Sequence, residues 1–217
     1  METTYEKRGL LNGVGNLYVT FIEDEGSETK APTYAEKGFE TPSIDQVEVT
    51  LTVNSRSIYL SNKEHDNKEL VTSAEVNLQA GYFPTDFAEE AQGMVKFGEG
   101  AWKMPDNPKK KPFRMAFPIT DTDDNELIIV FPYCTLGVAN LSAKTRTEEA
   151  QEQIPTFTIR SIPLAYRKDN ESGNTVYYKF DLTSEKAKKA WDRAKLLGGT
   201  GYDETTLGEA KASGVGV

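Results

Sequence analysis

The chain has 217 residues, 37% of them hydrophobic and 27% charged, and its 25 basic against 34 acidic groups leave a formal charge of −9. A chain of this length buries roughly 70% of its unfolded surface in one core without disulfide staples, and the composition is that of a polar globular domain, not of a disordered segment. The acidic balance argues against a protein that grips nucleic acid, since phosphate binding relies on a basic face that releases counterions.

The first eleven residues mix Glu2, Glu6, Lys7 and Arg8 with no apolar h-region behind them. No later stretch reaches the ~18 apolar residues of a membrane span, so the expectation is a chain assembled in the cytoplasm with neither signal peptide nor membrane contact. The organisation expected is an N-terminal arm over 1–15, a β domain with flanking helices over 16–197 that includes a loop or arm at 24–45, and a flexible glycine-rich tail over 198–217.

The dominant periodicity is two, the mark of half-buried strands. In 47–53, Val47, Val49, Leu51 and Val53 share one face and Glu48, Thr50 and Thr52 the other. In 71–80, Thr72, Ala74, Val76, Leu78 and Ala80 oppose Val71, Ser73, Glu75, Asn77 and Gln79. Further strands are expected at 16–23, 112–119, 126–136, 154–166 and 175–182, all rich in β-branched and aromatic residues. Asp121-Thr122-Asp123-Asp124-Asn125 reads as the turn of one antiparallel hairpin and Asp169-Asn170-Glu171-Ser172-Gly173-Asn174 as that of another.

Two helices are expected among these strands. Asp86 can cap Phe87 to Gln92, with Phe87 and Ala91 as the apolar stripe and Gly93 as the stop. Thr183 or Ser184 can cap a second over 185–197, with Ala187, Ala190, Trp191, Ala194 and Leu197 facing a sheet. Residues 24–45 and 98–112 are longer than ordinary connections. The segments 24–45 and 198–217 hold too little apolar surface to order alone, so both are expected to order against neighbouring subunits.

Candidate chemistry is thin. Cys134 is the only cysteine and lies in an apolar run, which reads as a core thiol. His65 is the only histidine, in the polar stretch Lys63-Glu64-His65-Asp66-Asn67, expected to be a solvated turn; without a second histidine no His-rich metal site or triad can be built. The segment from Asp121 begins like a calcium loop, but its sixth position is Glu126 and its twelfth Pro132, where a calcium loop needs glycine and glutamate. Gly13-Val14-Gly15 precedes a strand, so it lacks the context of a dinucleotide fingerprint. Glu89-Glu90 and Glu148-Glu149 fall on polar stretches and read as solvated surface. No catalytic, cofactor or metal residue is therefore assigned, and an enzyme is not expected. Lys109-Lys110-Lys111, held extended between Pro108 and Pro112, is the basic run that could touch an acidic neighbouring subunit or phosphate, or stay solvated.

The opening Gly9-Leu10-Leu11-Asn12-Gly13-Val14-Gly15-Asn16-Leu17-Tyr18-Val19 and the closing block, Lys144 to Ala150 followed by 154–166 and 176–182, resemble the major tail tube proteins of long-tailed bacteriophages (siphophages) of low-GC Gram-positive hosts. A long strand and acidic helix over 73–94 sit where that family has comparable elements. The resemblance covers about residues 9–182 and is one of order and texture.

It implies the tail tube fold, mainly β with one or two helices, a β-sandwich or partly open barrel shared with contractile-tail inner tubes and secretion-system tube proteins. It also implies hexameric rings of the chain with itself, stacked into a virion tail tube that conducts double-stranded DNA, with tape measure and tail terminator proteins as partners. The chain beyond Leu182 is too short for the immunoglobulin-like domain that some relatives carry. On this reading Glu48, Thr50, Thr52, Glu75, Asn77 and Gln79 line the channel, with the outside of the tube as the competing place for that face, and Lys109, Lys110 and Lys111 form an inter-subunit loop. The competing class is a β-sandwich binding module, such as a carbohydrate-binding domain, with Trp102, Tyr177 or Tyr178 as a stacking platform.

Overall fold

The structure, a computed structural model, describes residues 9–60, 63–83, 86–138, 154–166 and 174–188; for 57–60 and 63–67 it describes the backbone alone. In chain order the elements are β1 (Leu11–Val14), β2 (Leu17–Asp24), β3 (Thr33–Tyr34), β4 (Phe39–Thr41), β5 (Ile44–Leu60), β6 (Lys63–Ala80), α1 (Phe87–Ala91), β7 (Val95–Gly98), β8 (Ala101–Lys103), β9 (Phe113–Asp121), β10 (Glu126–Leu136), β11 (Thr156–Ser161) and β12 (Tyr178–Asp181). The protein is mainly β. Its large antiparallel sheet follows the hydrogen-bonded order β3-β2-β9-β10-β11-β6-β5, with β4 on β2, β1 on β9 and β12 on β10, while β7 and β8 form a separate hairpin.

The sheet curls without closing. Both ends of the path feed one core, where Leu17, Val19 and Phe21 of β2 meet Ala74, Val76 and Leu78 of β6 over Phe113, Met115, Phe117 and Phe131. β1 comes alongside β5 but forms no ladder with it. Over this core lies α1, whose Phe87 ring sits 4.4 Å from Phe21, 5.2 Å from Phe113 and 5.6 Å from Phe39. A smaller cluster, Ala116, Ile128, Val130 and Phe180, occupies the other face and is covered by Ala187 of a helical turn that starts at Glu185.

The continuous apolar reading of β10 follows from this placement, since a strand buried on both faces has no polar side to show. Pro132 cannot donate to a ladder, and the register of β10 against β9 shifts between Phe131 and Cys134, where the proline falls.

Several expectations need correction. Residues 24–45 are not an unsupported arm: β3 and β4 both pair with β2, Thr41 is buried, and Tyr34 lies 3.6 Å from the buried guanidinium of Arg114. The supposed N-terminal arm contributes β1 to the sheet, while its first eight residues lie outside the described ones. β11 and β12 do not form the expected two-strand ladder with each other: they pair with successive stretches of β10, and the segment between them is closed by Leu164 N–H donating to the Thr175 carbonyl at 2.9 Å. The stretch Lys63 to Asn67 belongs to β6 and is no turn.

Asp86 sits at the α1 N-cap but makes no capping hydrogen bond; it adopts φ 65° and its carboxylate accepts from Lys96 Nζ at 2.8 Å and Trp102 Nε1 at 3.2 Å. The Lys96 hydrogen bond, with Trp102 helping against partial desolvation, holds its carboxyl below the usual range. The second helix is described only to Lys188, so its remaining expected stripe lies outside the described residues, as do residues 169–173 of the expected turn, 144–150 and the 198–217 tail.

Candidate assembly surfaces

The two longest strands, β5 and β6, reach well beyond the packed core. β5 and β6 pair from Ile44↔Ala80 to Leu60↔Lys63, while β11 covers only Gln79 to Ala74 of β6. From Val53 outward the two strands therefore have only each other as hydrogen-bonded neighbours among the described residues. No residue of β5 from Ile44 to Arg56 is buried. Its apolar face is covered less with each step outward: Val47 packs on the core, but Val49 and Leu51 are each 39% exposed and Val53 46%. The outer edge of β5 ends the sheet with no ladder partner among the described residues. A long, partly apolar edge of this kind is a template for another strand, and natural proteins normally blunt or cover it.

The six polar residues singled out on β5 and β6 do share one face. Glu48 stands opposite Asn77, Thr50 opposite Glu75, and Gln79 opposite Gln46, whereas Thr52 pairs with Ser73. All six are exposed or half-exposed. The face also continues where the sequence reading stopped. β11 sets Thr156 beside Gln79, Thr158 beside Asn77 and Arg160 beside Glu75, and Thr135 of β10 follows beside Arg160. The Asn77 amide is bound at both its ends, Oδ1 accepting from Thr158 Oγ1 across the ladder at 3.0 Å and Nδ2 donating to Glu75 Oε1 on its own strand at 3.3 Å. The four-strand polar face thus holds Arg160 among its acids, so it is mixed in sign and not purely neutral-to-acidic. The period-two Thr156, Thr158, Arg160 against Phe157, Ile159, Ser161 carried that signal.

A register shift between Thr52 and Val53 makes Thr72 the extra residue of a bulge, its hydroxyl donating to the Thr52 carbonyl at 3.2 Å. Val71, expected on the polar face, consequently pairs with Val53 and packs toward the core.

The three lysines of the basic run part company. Lys111 is held at home: its backbone N–H donates to the Ala91 carbonyl at 3.2 Å, and its ammonium pairs with Glu90 and lies 4.2 Å from the Phe21 ring centroid. Lys109 and Lys110 are exposed. Gly93, at φ 81°, lets the loop come this close, since a Cβ there would stand 2.5 Å from the Lys109 carbonyl oxygen. At the other end of β9, Asp121 organises the hairpin turn. Its Oδ1 accepts from the N–H of Asp123 at 2.8 Å and of Asn125 at 2.9 Å, its Oδ2 from Asn125 Nδ2 at 3.0 Å. These bonds, the Asn125 side chain first, hold the Asp121 carboxyl below the usual range.

The remaining candidates are scattered. Cys134 is fully buried, and desolvation pushes its thiol far up, away from the reactive thiolate. The His65 side chain lies outside the described residues. Trp102 belongs to the β7–β8 hairpin, with Lys96 5.2 Å over its ring. Tyr177 lies beside Phe131 at 5.9 Å, and Tyr178 stacks on Phe180 at 6.4 Å in the opposite cluster, so the three aromatics form no common platform. Tyr133 donates to Glu25 at 2.9 Å, and burial together with that carboxylate raises its phenol to about 12. Set against known proteins, the chain matches no family model, and no curated protein is significantly similar to it.

Proposed function

We propose that the chain is a structural subunit that joins copies of itself into stacked rings around a channel. This is the arrangement implied by its resemblance to siphophage major tail tube proteins, with double-stranded DNA passing through the lumen of a virion tail. The observation that carries self-assembly is β5, a strand of 17 residues at the end of the sheet, with no ladder partner on its outer edge among the described residues and with Val49, Leu51 and Val53 half uncovered. A curled mainly β sheet with one helix over its core is compatible with the tail tube type of fold, and hexameric rings follow from the resemblance. Pairing of β5 with a neighbouring copy would extend the sheet from subunit to subunit, satisfy the edge and cover that apolar strip.

In this reading the four-strand polar face of Glu48, Thr50, Thr52, Glu75, Asn77, Gln79 and Arg160 lines the channel. A wall of mixed sign with little net charge neither grips nor strongly repels a polymer carrying one negative charge per ~1.7 Å. Negative-stain microscopy of the purified protein over a range of concentrations tests the proposal: rings and hollow rods are expected. A protein that stays monomeric throughout overturns it.

A further inference from the structure

The two ends of β9 carry surfaces that fit each other. At its start, the loop of residues 105–112 closes a groove of about 570 Å³ against α1 and β7, floored by Met94, Val95, Pro105 and Pro112. Lys109 and Lys110 rim it, and with Lys111 bound to Glu90 they are the cations left facing outward. Segment 105–112 holds three lysines and one acid, Asp106. At its end, the Asp121 to Glu126 turn holds four carboxylates and no basic residue.

Beside that turn stand Leu10 and Leu11, the most exposed large apolar residues described, at 78% and 69%. They are fixed in place: Leu10 N–H donates to Thr122 Oγ1 at 3.2 Å, Thr122 N–H donates to the Leu10 carbonyl at 2.8 Å, and Leu11 pairs with Asp121. Two exposed leucines thus stand beside the acidic turn at one end of β9, with Lys179 the cation lining the pocket next to Leu11, and an apolar groove rimmed by lysines stands at the other end, about 27 Å off along the nine-residue strand.

We infer that Leu10 and Leu11 of one copy of this chain seat in the Met94–Val95–Pro105–Pro112 groove of the next, with the Asp121 to Glu126 turn against Lys109 and Lys110. The patches differ and sit at opposite ends, so the contact is heterologous and repeats head to tail. It deepens the self-assembly reading by naming a second contact that shares no residue with β5, and so stacks rings that β5 joins. Burial of the leucines supplies the attraction, and the charges fix which end meets which.

The test is charge reversal at each end and at both. Asp124 is left alone because its φ of 60° tolerates few replacements. Lys109→Glu with Lys110→Glu, and separately Asp123→Lys with Glu126→Lys, should each weaken stacking about tenfold or more at ~0.1 M salt, read by sedimentation and by rod length in the microscope. The variant carrying all four changes restores complementarity and should restore rods. Leu10→Ser with Leu11→Ser should shorten rods at every salt concentration. Circular dichroism confirms that each variant is folded. Undiminished stacking in both two-residue variants, or no rescue in the four-residue variant, overturns the contact. Wild-type rings that never stack also overturn it while leaving the ring reading intact; a wild-type monomer at all concentrations ends both.

Discussion

β10 and β5 are strands of comparable β-forming content placed in opposite surroundings. β10 has neighbours on both edges and packing on both faces, with Ile128 and Val130 turned to one cluster and Phe131 and Leu136 to the other. β5 has one edge paired and no buried residue from Ile44 to Arg56. The difference is visible in their residues: a near-continuous apolar run needs cover on both sides, whereas strict alternation needs cover on one. The centre of the sheet is stabilised by this chain's own contacts, while the ribbon keeps apolar surface that no described residue covers.

The sharpest way to separate the two regions is to damage the centre. Phe87→Ala removes the ring on which Phe21, Phe39 and Phe113 converge and is expected to cost about 3–5 kcal/mol in urea denaturation. A cost below about 1 kcal/mol would mean that α1 does not seal the core. Gly93→Ala forces a side chain into φ 81° and toward the Lys109 carbonyl; about 1–3 kcal/mol of stability should go, and rods should shorten because the 105–112 loop lifts away.

The ribbon should answer in the opposite way. Val49→Thr, Leu51→Thr and Val53→Thr together keep β-propensity and should change monomer stability by only about 1–2 kcal/mol, yet rings should be lost under conditions where the wild type assembles. Equal loss of stability and assembly would erase the contrast. Glu48→Lys with Glu75→Lys should leave stability and assembly nearly unchanged. It should slow DNA passage at low salt and less at high salt, since the new lysines join Arg160 against phosphate. Unchanged passage at low salt through well-formed tubes places this face outside the channel.

The smallest effect concerns the acidic turn. Asp121 has a folded-state pKa below its unfolded value, so its contribution is full above the ordinary carboxylate range and disappears as pH falls through that range toward the depressed value. Asp121→Asn should therefore make the fall in melting temperature below about pH 4 shallower than in the wild type. Parallel curves would show that the turn's hydrogen bonds do not depend on the charge.

Much of this was legible in residues alone, and the failures have physical causes. Period two placed the two faces of β5 correctly, and the Asp121 to Asn125 turn was readable because its hydrogen bonds are local, the Asp121 carboxylate accepting from Asp123 and Asn125. The alternation of Thr156, Thr158 and Arg160 marked a polar face on β11, but its place beside β6 was not legible, because that pairing joins residues about eighty positions apart. The face of Val71 was misassigned because a bulge breaks alternation without marking the sequence. β3 and β4 were hidden by shortness: two and three residues carry no period, and they order through Tyr34 under Arg114 and Phe39 against Phe87.

The bulge at Thr72 also sets how the molecule handles error. Beyond it, Val53 to Leu60 and their partners run about 25 Å at ~3.3 Å per residue, a lever anchored at one end. A bulge bends and twists a ribbon locally, so a rotation of about 5° there moves the far end about 2 Å while the core strands stay still. In the proposed assembly such a lever would take up small misalignments at each joint, and the packed cores would not need to deform to accommodate a bend of the whole.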